Sequence, residues 1–131
     1  MATESIFKAI CSYIKGSSLE SDNDYYPSQA PQSANDPYVI INMVDNNTDI
    51  THSNSYFSGD ARFQFDFYCK TLSTLDDRVE KLKNAFVGQS FDLTTNTVLA
   101  FCTCDNEFDA FDDDSDTYIR SVDLVFKYIF K

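Results

Sequence analysis

Hydrophobic residues recur along this chain with two periods, and each period predicts one type of element. Residues 60–70 alternate strictly between small or aromatic side chains and polar ones. A period of two places one set on the core side of a β-strand and the other towards solvent or a partner. The predicted core set is Ala61, Phe63, Phe65, Phe67 and Cys69.

The helical period of about 3.6 residues predicts two helices. In residues 74–87 a narrow apolar stripe is formed by Leu75, Val79, Leu82 and Phe86. Thr74 and Asp77 resemble a capping box at the start of this helix, and Gly88 suits its end.

Residues 3–15 predict the other helix. Thr3 is the expected N-cap and Gly16 the expected stop. The apolar face comprises Ile6, Phe7, Ile10, Tyr13 and Ile14.

Three further segments read as strands: 38–44, 97–104 and 117–130. The last has a core face interrupted by Arg120, and it also carries apolar residues on its second face. The core face comprises Tyr118, Val122, Leu124, Phe126, Tyr128 and Phe130. The second face comprises Ile119, Val125 and Ile129, which are candidates for contact with another subunit.

The remaining segments are polar and turn-rich, so long loops are expected at 17–37, 45–59 and 105–116. Apolar side chains within them are unusual for loops and are candidate contact residues. They are Tyr25 and Tyr26, then Ile50, Tyr56 and Phe57, and finally Phe108 and Phe111.

Together these elements predict a single α+β domain over the 131 residues. The expected core is an antiparallel or mixed sheet of about four to five strands. Two helices pack on one face of it, in the order α-β-(β)-β-α-β-β. We expect no leader peptide and no membrane association, because the apolar runs are short.

The formal net charge of −11 disfavours binding to phosphate groups. It fits a solubilising surface, a surface that must not adhere to nearby DNA, or a mimic of DNA. Much of the charge lies in one segment, a candidate acidic surface or lumen patch, formed by Asp105, Glu107, Asp109, Asp112, Asp113, Asp114 and Asp116.

Catalysis and metal binding find little support in the residue pattern. His52 is the sole histidine and lies in a polar segment. Cys102 and Cys104 fit buried packing better than a zinc half-site, which needs a second ligand pair. The 105–116 segment has Ala110 where a calcium loop of the EF-hand type requires glycine. No glycine-rich phosphate loop occurs, so we expect no enzyme, cofactor or metal.

Cysteine usage fits a reducing cytoplasm, where the four thiols stay free. Their spacing does not resemble a disulfide framework.

The whole pattern resembles the tail terminator, or tail-completion and head–tail joining, proteins of phages with long non-contractile tails. The opening SIFKAICSYIKG, the strand PYVIINMV, the unit GDARFQFDFYCKTLSTLDDRVEKLKNAF and the closing YIRSVDLVFKYIF carry the resemblance. It covers nearly the whole chain and depends on element order and length. The strongly acidic 105–116 segment departs from the pattern and leaves its partner contacts open.

The resemblance implies a homohexameric ring in the virion tail or neck, assembled in the host cytoplasm. Its partners would be copies of itself, the tail tube protein and a head-completion protein. DNA would pass through the ring without specific binding. Two alternatives stay open: an acidic DNA mimic that inhibits a nucleic-acid-binding protein, and a small enzyme or ligand-binding domain.

Overall fold

The computed structural model describes residues 5–17, 19, 25–28, 30, 37–50 and 57–130. The helices are α1 (Ile6–Lys15) and α2 (Leu72–Phe86). The strands are β1 (Tyr25–Pro27), β2 (Tyr38–Ile50), β3 (Phe57–Cys69), β4 (Phe91–Asp92), β5 (Thr97–Asp112) and β6 (Thr117–Phe130).

A single mixed sheet, curled into a half-barrel, organises the described residues in the order β1-β2-β3-β6-β5-β4. β1 pairs with β2 in parallel, and all other neighbours are antiparallel. The predicted sheet of four to five strands and its element order were therefore wrong. Two short outer strands account for the difference, because three and two residues are too few to produce a period-two pattern.

Two of the predicted loops are largely strand. β2 continues to Ile50 and β3 begins at Phe57, so the predicted 45–59 loop is strand at 45–50 and 57–59, and residues 51–56 lie outside the described residues. β5 continues through the acidic residues to Asp112, and β6 begins at Thr117. These extensions pair with a neighbouring strand, and the side chains of residues 45–47 and 105–112 are exposed, which is why hydrophobicity did not reveal them.

The predicted 17–37 loop contains β1, whose residues pair with Val39, Ile40 and Ile41 of β2. Pro27 is the last residue of this outer strand, a position where its missing N–H is tolerated.

Both helices begin at caps other than the predicted ones. α1 is capped by Ser5, whose hydroxyl accepts a hydrogen bond from the Lys8 backbone N–H at 3.1 Å; Thr3 lies outside the described residues. α2 begins earlier than predicted, after Thr71. The Thr71 hydroxyl donates a hydrogen bond to the Thr74 hydroxyl at 2.8 Å. Neither of these helices is long and apolar enough to span a bilayer.

The core lies between the helices and one face of the sheet, which we call the inner face. The alternating set of β3, from Ala61 to Cys69, is buried there as predicted. Phe126 lies at the centre, with its ring 5.3 Å from Phe63 and 5.1 Å from Phe86. α1 adds Phe7, whose ring stacks on Phe63 at 5.8 Å.

Gly59 of β3 allows a close approach of two neighbouring strands. A methyl group on its Cα would lie 2.6 Å from the Asn47 carbonyl oxygen and 2.7 Å from the Tyr128 hydroxyl oxygen. Tyr128 is buried beside it and donates a hydrogen bond of 2.7 Å to the Asn46 side-chain oxygen. The missing side chain therefore makes room for the hydrogen-bonded tyrosine.

Candidate interaction surfaces

The sheet face opposite the helices is called the open face here. It is formed by the alternate residues of each strand that point away from the core. Direct cross-strand neighbours place Tyr38, Tyr68 and Ile119 in one row, and Arg62, Val125 and Thr103 in another. No helix of the described residues packs on this face. Side chains of the central strands are nevertheless half-buried, because long neighbours shield one another.

Tyrosines form a continuous aromatic row at one end of the open face. The Tyr26 and Tyr38 rings meet at 6.2 Å and 67°, and the Tyr38 and Tyr68 rings stack at 4.7 Å and 11°. Burial, followed by the nearby charge of Asp66, raises the pKa of the Tyr68 hydroxyl. Stiff aromatic side chains that combine apolar area with a polar tip are enriched at protein interfaces.

The centre of the open face holds one cation among several carboxylates. Arg62 donates a hydrogen bond to Asp105 and lies 4.0 Å from Asp123, and the hydrogen bond with Asp105 raises the pKa of Arg62. Asp123 is only 16% exposed, and one of its oxygens is buried without a hydrogen bond among the described residues. Burial raises the pKa of Asp123 accordingly.

Beside this cluster, Asp66 is satisfied by its neighbours on the open face. It accepts hydrogen bonds from Ser121 at 2.6 Å and from the Gln64 side-chain amide at 2.9 Å. The open face is thus a mixture of ordered polar groups and apolar strips, as expected for a protein interface and unlike a buried core.

Residues 105–116 form the end of the β5–β6 hairpin, and we call them the acidic arm. Every one of them is exposed. The arm carries seven carboxylates and no basic residue. Phe108 is 50% exposed and Phe111 is 47% exposed, although the Phe111 ring meets Tyr118 at 4.9 Å.

Ion pairs attach the arm to the rest of the molecule. Arg120 donates to both carboxylate oxygens of Asp109, at 2.6 and 3.2 Å, and to Asp76 of α2 at 2.6 Å. The hydrogen bond from Arg120 lowers the pKa of the Asp109 carboxyl. Glu107 lies 2.7 Å from Lys83 of α2, and this hydrogen bond raises the pKa of Lys83.

The tip of the arm is a turn closed by its own polar groups. Asp112 accepts hydrogen bonds from the Asp114 backbone N–H at 3.1 Å and from the Ser115 hydroxyl at 2.8 Å. Asp116 has a φ of 52°, in the left-handed region that aspartate tolerates better than most residues. Asp113, Asp114 and Asp116 are exposed around this turn.

The structure divides the candidate contact residues among several places. Ile119 and Val125 are half-buried on the open face, and Ile129 is 36% exposed there. Tyr25 is instead buried against Phe67 and offers no surface to a partner. Ile50 is the last residue of β2 and Phe57 the first of β3, and the side chains of both lie outside the described part of the chain. Tyr56 and His52 lie outside it entirely.

Sequence reasoning missed the principal residues of the open face, Tyr38, Tyr68 and Arg62. The sequence did contain a sign of them, because Arg62 and Tyr68 belong to the residues of 60–70 that alternate with the predicted core residues. Only the strand order shows that β3 lies between β2 and β6, whose side chains extend the same face.

The two neighbouring thiols of β5 differ in environment. Cys102 is buried, and burial raises its pKa to about 12. Cys104 is exposed, so the prediction that both are buried was wrong. A register shift separates Cys104 from Asn106, where the strand leaves the core. Among the described residues, no three His, Cys, Asp or Glu side chains are grouped to hold a metal ion.

Comparison with known proteins gives a match of fold only. No protein-family model matches the chain, and no curated protein is similar enough to match. Among solved structures, one similar chain belongs to the "virion of native gene transfer agent (GTA) particle". The two chains share 11% identity with a TM-score of 0.68, over 96% of this chain and 95% of the other. The chain therefore has, over almost its entire length, the fold of a protein found in a virion.

Proposed function

We propose that this protein is a structural component of a phage-like virion and acts by assembling with copies of itself. The observation that carries the proposal is the nearly full-length fold match to a chain of a gene transfer agent virion. Near-complete coverage of both chains means that a whole subunit, and not a shared submotif, is matched.

The open face supports an assembly role on physical grounds. A sheet with helices on one side leaves its other side open to solvent or to a partner. Here that side carries the aromatic row and the residues Ile119 and Val125, which favour a partner. The buried oxygen of Asp123 on this face would gain from a donor supplied by a neighbouring subunit.

Within a virion, we propose the position of a tail terminator: a ring, with six copies as the expected number, between the tail tube and the head-completion proteins. The resemblance of the sequence to that family supports this position. The strong negative charge suits a ring through which DNA passes without adhering. The proposed role requires no catalytic turnover.

Light scattering on the purified protein, together with negative-stain imaging in the presence of tail tubes, tests this proposal. We expect rings in solution or on tube ends, and we expect Ile119→Arg on the open face to weaken assembly at least tenfold. Asn96→Arg, in an exposed turn, is the matched control and should assemble normally. A monomer that does not bind tube ends but displaces DNA from a DNA-binding protein would favour the DNA-mimic alternative.

A further inference from the structure

A shallow groove lies between α1 and α2, close to their C-terminal ends. It has a volume of about 320 Å³ and is lined by Tyr13, Ser17, Leu19, Lys81, Asn84 and Ala85. Its walls are mainly apolar, with the exposed Lys81 at the rim. A groove of this kind accepts an aromatic side chain that is accompanied by negative charge.

The surroundings of the groove are positive within a strongly negative protein. The described part of α1 and its cap contains Lys8 and Lys15 and no acidic residue. The last turns of α2 contribute Lys81 at the groove, whereas Lys83 is already paired with Glu107 of the arm and lies near Glu80. This region therefore contrasts in charge with the acidic arm, which has carboxylates only.

The tip of the acidic arm, which carries Phe111, and the groove cannot meet within one copy, because they lie at opposite ends of the sheet. The arm ends beside Tyr118, where β6 begins. The groove residue Tyr13 packs 4.8 Å from Phe91, which is joined to Tyr128 through Leu99. Ten residues of β6 separate these rows, which is roughly 33 Å of strand.

Direct pairing of sheet edges is a poor alternative way to join two copies. β1 covers only residues 39–41 of β2, and β4 covers only Val98 and Leu99 of β5. Beyond those residues both edges carry acids, including Asp45 on β2 and Asp105 on β5. Like charges placed opposite each other oppose strand pairing, so contact through side chains is favoured.

We propose that the acidic arm of one copy docks in the helix groove of the next copy, with Phe111 inserted among Tyr13, Leu19 and Ala85. Asp113 and Asp114 then lie near Lys81 and Lys15. The inference rests on the proposed self-assembly and adds to the open face a second pair of contact surfaces. Because the two surfaces differ, the contact is head-to-tail, which closes into a ring or continues as a filament.

Charge reversal tests this contact by the association constant of the full chain, measured by sedimentation. We expect Lys81→Glu alone, and Asp113→Lys with Asp114→Lys, each to weaken self-association at least tenfold. Combining all three changes in one chain should restore much of the loss, because the charges are complementary again. Asp92→Lys, which reverses an exposed acid outside the arm, is the control and should leave association unchanged.

Mixing the two weakened variants sharpens the test. In the mixture the arm of each variant is opposite in charge to the groove of the other, so we expect the two variants to assemble in alternation although neither assembles well alone. If wild-type protein assembles and the groove and arm variants assemble equally well, the docking contact is wrong while the assembly role stands. Wild-type protein that stays monomeric at millimolar concentration overturns the contact, and imaging on tube ends then decides the assembly role separately.

Discussion

The base of the β5–β6 hairpin and the acidic arm at its end share one ladder of strand pairing, yet different forces stabilise them. In the base, Leu99 and Cys102 of β5 and Phe126 and Tyr128 of β6 are buried. In the arm, every side chain is exposed, and Arg120 and Lys83 hold the carboxylates instead. The comparison shows that a strand can continue well past the core when its partner strand is itself fixed, here by β3.

The largest expected effect in this comparison is the loss of the central ring of the base. Phe126→Ala should lower the free energy of unfolding by about 3–5 kcal/mol, because it leaves a cavity among Phe63, Phe65 and Phe86. Denaturant unfolding measures this. Phe101→Ala, on a ring that is 45% exposed in the same hairpin, is the control and should cost less than about 1 kcal/mol.

Adding a side chain at the tightly packed Gly59 should have the next largest effect on the free energy of unfolding. Gly59→Ala places a methyl group against the Asn47 carbonyl and Tyr128, and we expect a loss of about 1–3 kcal/mol. Gly16→Ala has only ordinary contacts, the nearest being 3.6 Å, so its stability should change by less than about 0.5 kcal/mol. Equal thermal midpoints for the two variants would contradict the close approach.

The ion pairs of the arm should contribute less than the core of the base. Arg120→Met removes the hydrogen bonds to Asp109 and Asp76 and should cost about 1 kcal/mol at pH 7, since both carboxylates are largely exposed. The folded pKa of Asp109 lies below its unfolded value of about 3.9. This stabilisation is therefore present above pH ~4 and is lost as the pH falls through the lowered pKa.

Unfolding measured from pH 7 down to pH 3 checks this sign. The difference in stability between wild type and Arg120→Met should shrink towards low pH. A difference that stays constant, or that grows in acid, would show that Arg120 stabilises the arm by packing and not through Asp109.

The smallest effect is expected for an exposed aromatic residue of the arm. Phe108→Ser should change the free energy of unfolding by less than about 0.5 kcal/mol, because the ring is 50% exposed in the folded protein. Denaturant unfolding under conditions where the protein is monomeric provides the comparison with Phe126→Ala. A loss as large as that of Phe126→Ala would mean that the arm is part of the core.

The sequence predicted the parts of the fold that depend on burial. Phe63, Phe65 and Phe67 alternate because one side of β3 faces the core, and Leu75, Val79 and Leu82 repeat because one side of α2 does. The bounds of β6 were also predicted correctly. The core face of β6 begins at Val122, so the prediction that Tyr118 lies in the core was wrong: it is 36% exposed.

The sequence did not predict strand where pairing replaces burial. Residues 105–112 are rich in aspartate, which is depleted in strands, and their extended form comes from β6 alongside. Register shifts between Leu99 and Phe101 and between Cys104 and Asn106 further break the alternation. The open face was predicted only in part. Its rows join residues of separate strands, and the sequence does not show which strands are neighbours.

The strands at the two outer edges are far shorter than the hairpins they flank, which leaves the hairpin ends free to vary in length. Removing two residues from each strand of such an end keeps the alternation intact, so every remaining side chain would still point to its original side. The reach of the acidic arm could therefore change by about 7 Å at each such step while the packed centre stayed the same. A family of related subunits could adjust its spacing to different neighbours in this way, without redesigning its interior.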